Sequence, residues 1–356
     1  MKKGELLVTA AELAPGSSRS IEQILGDTHR LVDPALRSVA TELPAEMQTV
    51  MSYHLGWCDE SGHPINAANG KMIRAAATLL VSRAAGGTPG KAVSAAVAVE
   101  LVHNFSLMHD DVIDRDQRRR HRPTVWTVFG IPAAILVGDA LLGLAYEVLA
   151  DAEFSPDPFE AVRHLSRSVE RMIFGQDADI RLESRTGGVK LSECIAMARA
   201  KTGALLGGAC ALGALSAGAD AALVQQMSVF GEELGLAFQL IDDVLGIWGD
   251  PKRTGKPARS DLQSRKKSLP VVFAMNSGTR AAEELMTLYQ IRRDLTDVEL
   301  NRAARLVDAA GGKEWATSEA ERRVQEALSN LATWNLHPPA VAELAALAAR
   351  VCDRTY

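Results

Sequence analysis

Two short segments of the chain concentrate carboxylates in a pattern suited to divalent cations. The segment His109-Asp110-Asp111-Val112-Ile113-Asp114 follows the apolar run 101–108 with no helix breaker between them. It should therefore continue that helix, and residues four apart share a helical face. Asp110 and Asp114 would project side by side, a repulsive arrangement that Mg²⁺, with its preference for hard oxygen ligands, relieves. A second pair, Asp242-Asp243, comes 128 residues after Asp114 and ends another apolar run that begins at Val229. Two such sets facing across a cavity would hold several Mg²⁺ ions, with phosphate oxygens as the remaining ligands. A solvated acidic helix end is the plainer reading of the first segment. The apolar turn before it and the repetition of the pattern argue against that reading.

Basic residues accompany both clusters. Arg118, Arg119, Arg120 and Arg122 follow the first, and the stretch 250–267 after the second carries seven Lys and Arg against two Asp. Lys71 and Arg74 are three apart on what should be one helical face. Lys201 falls in an otherwise apolar helix, where an unpaired charge is costly. Carboxylates for metal with Lys and Arg nearby suit a diphosphate substrate. Solvated surface charge is the simpler account of Lys252, Arg253 and Arg259.

The elements that carry these residues read as helices. Apolar positions recur at three- and four-residue steps along 92–107, 133–149, 191–212, 224–245 and 341–351, rich in Ala and Leu. Gly and Pro clusters at 86–90, 155–158, 187–188, 249–257, 311–312 and 337–339 punctuate them. No run of alternating β-branched residues argues for a sheet. The small residues of 202–213 fit helices packed closely together, or around a cavity. Residues 1–20, with Pro15-Gly16-Ser17-Ser18, read as a flexible arm, and 21–356 as one all-α domain.

The 356 residues are 47% hydrophobic and 5% aromatic, with 39 Lys+Arg against 44 Asp+Glu and a net charge of −5. Such a chain can bury a large core, is not disordered, and lacks the basic excess of a general nucleic-acid binder. Its four cysteines are scattered without a CxxC, as in a reduced, cytoplasmic protein. The stretch 131–150 is the most membrane-like, but Asp139 and Glu147 within it favour a buried helix over a transmembrane segment.

Taken in order, these motifs resemble the trans-isoprenyl diphosphate synthases, the polyprenyl synthetase family. Asp110-Asp111-Val112-Ile113-Asp114, then Arg119-Arg120 and Pro123-Thr124, resemble its first aspartate-rich motif. Asn69-Gly70-Lys71-Met72-Ile73-Arg74 is similar to its Gly-Gly-Lys-x-x-Arg stretch. Gly138-Asp139-Ala140-Leu141-Leu142, Gly175-Gln176-Asp177-Ala178-Asp179 and Lys201-Thr202 resemble further signatures. Phe238 to Asp243, with Gly255-Lys256, Asp261-Leu262 and Lys266, resembles the second aspartate-rich motif.

The resemblance implies an all-α, single-domain isoprenoid synthase bundle around a central cavity, working as a homodimer. It implies condensation of isopentenyl diphosphate with an allylic diphosphate on Mg²⁺, three ions per site. Asp110, Asp114 and Asp242 would bind metal directly, with Asp111 and Asp243 in support. Arg119, Lys201 and Lys256 would grip the allylic diphosphate, with Lys266 farther out. Lys71, Arg74, His103 and Arg120 would hold the isopentenyl diphosphate. Thr202 and Gln239 would lie beside the allylic cation, and Asp179 near the lysines.

The chain departs from the family pattern at Asn69, Ala75 and His121, and at Gly246, which stands where the second motif ends in Asp. Phe105 and Ser106, five and four residues before Asp110, resemble the chain-length positions of short-chain synthases of the geranylgeranyl type: one aromatic plug and no second. Core packing is the commoner fate of such an aromatic. Two other functions compete. A class I terpene cyclase needs no isopentenyl site, so Lys71, Arg74, His103 and Arg120 favour elongation. A weakly active regulatory subunit would fit Gly246 but not the retained lysines and first aspartates.

Overall fold

The 3.6-residue apolar repeat resolves into helices throughout the computed structural model, which describes residues 19–65, 70–152, 158–185, 187–251, 259–291 and 293–352. In chain order these are α1 (Ile21–Ala40), α2 (Ala45–His54), α3 (Ile73–Ala84), α4 (Val93–Ile113), α5 (Val125–Phe129), α6 (Ile131–Ala150), α7 (Pro158–Ser184) and α8 (Leu191–Ala198). A five-residue π turn, Arg199–Gly203, leads into α9 (Ala204–Ser216) and α10 (Ala221–Trp248). Then come α11 (Ser260–Gln263), α12 (Leu269–Met275), α13 (Arg280–Tyr289), α14 (Asp297–Ala309), α15 (Gly312–Leu331) and α16 (Pro338–Cys352). The described sheet is one minimal hairpin, β1 (Arg118–Arg119) antiparallel to β2 (Arg122–Pro123), which the apolar pattern did not announce.

Contacts divide the chain into two compact units. The first comprises Met1–Arg167, Gly208–Ser228 and Trp334–Leu347; the second comprises Ser168–Gly207, Val229–Thr333 and Ala348–Tyr356. In the first, α4 packs against α3 and α6, and small residues carry the contact: Ala95, Ala96, Ala98, Val99 and Val102 are fully buried. A side chain on Gly213 would approach the Thr78 carbonyl carbon to 3.1 Å, so the small residues of this stretch serve close helix packing. The chain entry is fixed here too. Ser20 caps α1 in a reciprocal bond with Gln23, and Arg19 pairs with the buried Glu343 at 2.8 Å and Asp27 at 2.5 Å. The arm read as 1–20 is thus anchored at its last two residues, and 1–18 lie outside the described residues.

Helix α6 is only half covered. Val137, Leu141, Ala145 and Leu149 are buried, while Ile131 and Leu136 are 49% and 56% exposed. The buried helix expected over 131–150 therefore has an apolar outer face. By length and composition it is the one described helix that could cross a membrane.

In the second unit, Val271 and Ala274 of α12 pack with Leu285, Leu295, Leu300, Ala303 and Val307. Helix α10 is longer than the apolar run suggested: it starts at Ala221 and continues past Asp243 to Trp248, so the second aspartate pair sits on a helix body and not at its end. Lys201 likewise lies in the π turn, not in a regular helix. Such turns are mostly single-turn bulges within helices and are frequent at functional sites.

Candidate active site

In the first unit the acidic segment closes α4, and Asp114 N still donates to the Asp110 carbonyl at 2.8 Å. Asp110 and Asp114 therefore keep the helical spacing that puts them side by side, half-buried and exposed respectively. Asp111 faces inward at 2% exposure and accepts from Arg119 Nε at 2.8 Å and Nη2 at 2.7 Å. It holds an arginine, while Asp110 stays half-buried and Asp114 exposed.

The hairpin brings the arginines into place. Arg120 and His121 both have left-handed backbones, φ 50° and 65°, the region that favours Gly, so His121 holds a conformation that costs a side-chain-bearing residue energy. Arg122 ties the hairpin to the end of α2 through the carbonyls of Tyr53 (2.8 Å) and Cys58 (2.9 Å) and lies over the Tyr53 ring. A Cβ on Gly70 would come within 3.0 Å of the Arg120 guanidinium carbon. The glycine before Lys71 is thus what lets this loop close on Arg120.

On α3 and α4, Arg74 Nη1 donates to His103 Nε2 at 3.2 Å, which makes that nitrogen the acceptor. Burial, then Arg74 and Arg120, hold the His103 pKa well below the usual histidine value, so the ring is neutral. Glu100, one turn earlier and buried, accepts from the Ala75 N–H at 3.2 Å and fixes the start of α3. Lys71 is exposed. Two residues here escaped the sequence reading. Glu100 could have been found as a lone charge in an apolar helix, the signal used for Lys201. His54 carried no such signal: it is a half-buried histidine whose inaccessible Nε2 has no partner, in a 30 Å³ pocket lined also by Asp111, Arg119, Arg120 and Arg122.

Phe105 is 6% exposed and meets His109 edge-to-face, centroids 4.7 Å apart. Ser106 turns its hydroxyl back to the His103 carbonyl at 2.8 Å. Gly138 provides the notch for His109: a Cβ there would lie 2.6 Å from the ring.

In the second unit the π turn presents Lys201 and Thr202. Lys201 Nζ pairs with Asp179 Oδ2 at 2.6 Å. The turn is clamped by glycines, since a Cβ on Gly175 would come 2.6 Å from the Lys201 Cα, and one on Gly235 2.6 Å from the Gly203 Cα. Thr202 Oγ1 donates to Gln239 Oε1 at 2.6 Å, and Gln239 Nε2 donates to Asp243 Oδ1 at 2.8 Å. The Leu269 N–H donates to Asp243 Oδ2 at 2.8 Å. This chain fixes the amide orientation of Gln239, because only its NH₂ end can donate to a carboxylate.

Burial pushes the Asp243 carboxyl up to about 6, opposed by Lys266. Burial would lower the Lys266 ammonium, but Asp243, Asp261, Asp179 and Asp242 raise it overall, so it stays charged. Asp242 points outward and is exposed. Lys256 lies outside the described residues. The two clusters thus share a plan. One aspartate in each is buried against a cation, Asp111 on Arg119 and Asp243 by Lys266, and the others are accessible.

Among the described residues, no three His, Cys, Asp or Glu side chains converge as a complete metal cage. Accessible hard-oxygen donors in ones and twos are what Mg²⁺ takes when phosphate oxygens and water complete its shell. The donor set fits that ion.

The comparisons agree with this geometry. The model of the polyprenyl synthetase family matches residues 56–307. The chain is 46% identical over 334 residues to the (2E,6E)-farnesyl diphosphate synthase of Mycobacterium tuberculosis, covering 93% of this chain and 92% of that protein. It is 43% identical over 323 residues to the geranylgeranyl diphosphate synthase of the same organism, covering 90% of each. The crystal structure of a polyprenyl synthetase from Streptomyces coelicolor A3(2) superposes with a TM-score of 0.89 at 42% identity, over 93% of this chain and 99% of that one.

Proposed function

The chain belongs to the polyprenyl synthetase family, with the all-α isoprenoid synthase fold and the activity of a short-chain trans-prenyltransferase, and we propose that its main product is geranylgeranyl diphosphate. The observation that carries this length is the single buried aromatic before the first aspartates: Phe105 against His109, with only Ser106 beside it. Farnesyl diphosphate is the second reading, favoured by the 46% identical farnesyl diphosphate synthase.

In this reading Asp110, Asp114 and Asp242 hold Mg²⁺, three ions per site. Mg²⁺, when bound there, would supply positive charge to the leaving diphosphate and so favour ionisation of the allylic C–O bond. Arg119, held by Asp111, and Lys201, held by Asp179, grip the allylic diphosphate, and Lys256 and Lys266 add charge. Lys71, Arg74 and Arg120 bind the diphosphate of isopentenyl diphosphate, and neutral His103 orients Arg74 there. The Thr202 and Gln239 oxygens stabilise the allylic cation as the isopentenyl double bond attacks. The lost proton goes to the departing diphosphate. Holding both substrates oriented supplies the remaining rate enhancement.

The same reading makes the protein a cytoplasmic homodimer with residues 21–356 as its synthase domain. A second copy would cover the apolar outer face of α6, where Ile131, Ile135 and Leu136 are exposed, and Cys58, Cys194 and Cys210 are free thiols. The deciding experiment incubates the protein with Mg²⁺, isopentenyl diphosphate and each allylic primer and measures product length. Products of geranylgeranyl length support the proposal; products that stop at farnesyl select the second reading. Hydrocarbon formed without isopentenyl diphosphate would overturn elongation altogether, and light scattering reads the dimer.

A further inference from the structure

The π turn Arg199–Gly203 interrupts what would otherwise be one helix from Leu191 to Ser216, and it carries Lys201 and Thr202. A π turn takes in an extra residue, and each helical residue advances about 100° around the axis, so side chains in the turn point where a regular helix would not aim them. Relaxation of the turn to α-helix would re-aim both. Something must therefore hold it.

Both ends of the turn rest on the same short stretch of α10. At its last residue, a Cβ on Gly203 would lie 3.0 Å from the Glu232 carbonyl oxygen. At its first residue, Arg199 Nη1 pairs with Glu233 Oε1 at 2.6 Å and lies 3.8 Å from Glu232 Oε2. These glutamates are themselves fixed, Glu232 by Arg171 of α7 and Glu233 by Arg323 of α15 at 2.6 Å. Arg323 is fixed in turn by Glu319 at 2.7 Å. The Glu232, Glu233 and Arg323 side chains are only 13%, 20% and 12% exposed, so solvent and salt screen these pairs less than surface pairs. We propose that Arg199 is a positioning residue: tethered to Glu232 and Glu233, it keeps the turn in its π form and so aims Lys201 and Thr202 for the reaction. The proposal rests on the elongation reading above, in which those two residues serve the allylic substrate. Without Arg199, Glu232 keeps Arg171 and Glu233 keeps Arg323, so no carboxylate is left alone. The fold then loses little, while the turn loses its tether.

The experiment measures steady-state turnover with Mg²⁺, isopentenyl diphosphate and an allylic primer, together with the melting temperature, for the full chain and its variants. Arg199→Gln should lower kcat about tenfold, leave the KM for isopentenyl diphosphate within about twofold, and shift the melting temperature by only a few degrees. Arg199→Lys should bring kcat back to within about threefold of the parent, because one nitrogen makes both contacts and an ammonium can stand in for it. Arg322→Gln, which removes the more exposed pairs with Glu319 and Glu326, is the control and should change neither rate nor KM. An unchanged kcat in Arg199→Gln would overturn the inference and leave a purely structural ion network. A lysine variant as slow as the glutamine one would overturn it too. So would a raised KM with kcat intact, which would put Arg199 on the substrate. Should Arg199→Gln not fold, Glu233→Gln is read by the same kcat criterion, since it removes the 2.6 Å partner and leaves the turn's own sequence intact. A parent protein that forms no prenyl product would instead sink the elongation reading.

Discussion

Lys201 Nζ and Asp179 Oδ2 are 2.6 Å apart, and this pair joins the π turn to α7 within one unit. It holds the ammonium of a largely buried lysine against a buried carboxylate. Asp179→Asn should keep the fold yet lower kcat about tenfold to a hundredfold, the range for a misplaced charge-stabilising group. Steady-state kinetics check it; an unchanged kcat would reduce the pair to a structural ion pair.

Asp110 and Asp111 are adjacent but should behave differently. Asp110→Ala should abolish turnover, by about a thousandfold or more, with little change in stability. Asp111→Ala removes the partner of Arg119 and should also destabilise the fold, by about 3–5 kcal/mol for an uncompensated buried charge. Paired activity and urea-unfolding measurements separate the two. Near-normal turnover in Asp110→Ala would remove it from the metal site.

Phe105→Ala should lengthen the product by at least one five-carbon unit, because it removes the ring that meets His109. The same truncation should cost about 3–5 kcal/mol of stability. Radiolabelled product chromatography reads the length. An unaltered distribution would make Phe105 core and nothing else.

Gly175→Ala tests the clamp on the π turn. The added methyl would lie 2.6 Å from the Lys201 Cα and 2.7 Å from the Ala200 carbonyl carbon, both backbone atoms that cannot swing away. Overpacking of this kind costs about 1–3 kcal/mol, and turnover should fall further than the melting temperature alone would explain. Unchanged stability and rate would show that the helices can separate at no cost.

Acid should unfold the protein through its histidines. The His54 pKa is lowered to about 3, by burial first and then by Arg120 and Arg119, against about 6.5 unfolded. Between those values the unfolded chain binds a proton that the folded chain does not. Stability is therefore complete above about pH 6.5 and is lost as pH falls toward 3. His103 is shifted in the same direction and adds to the slope. His54→Asn should reduce the dependence by up to one proton, about 1.4 kcal/mol per pH unit, in urea midpoints measured from pH 7 to 4. An identical slope would refute the assignment.

How much of this was legible in the sequence depends on whether a residue's role is local. The helical spacing of Asp110 and Asp114 and the oddity of Lys201 in an apolar run are local, and both could be read directly. The family resemblance supplied Thr202, Gln239 and Asp179, and the structure joins each to a partner: Thr202 to Gln239, and Asp179 to Lys201. What pattern could not supply were contacts between distant stretches. Nothing in the run from Val229 to Asp243 says that the helix continues to Trp248. Nor does Gly246 announce that a carboxylate fifteen residues later fills its space. The hairpin was hidden for a different reason: two-residue strands have no period, and its left-handed turn falls on Arg120 and His121, neither a usual turn residue. His54 could not be found because its importance comes from three arginines more than sixty positions away.

The burial of one aspartate in each cluster has a consequence for handling the enzyme. Because Asp111 and Asp243 already have Arg119 and Lys266 for company, neither acidic helix depends on a cation to keep its shape. A chelator should strip the outward-facing carboxylates and leave the fold standing, unlike a structural zinc site, whose loss is unfolding. The protein should therefore survive dialysis against chelator and regain full turnover when the ion is restored. In the cell, its output would follow free magnesium promptly, with no refolding step between the two.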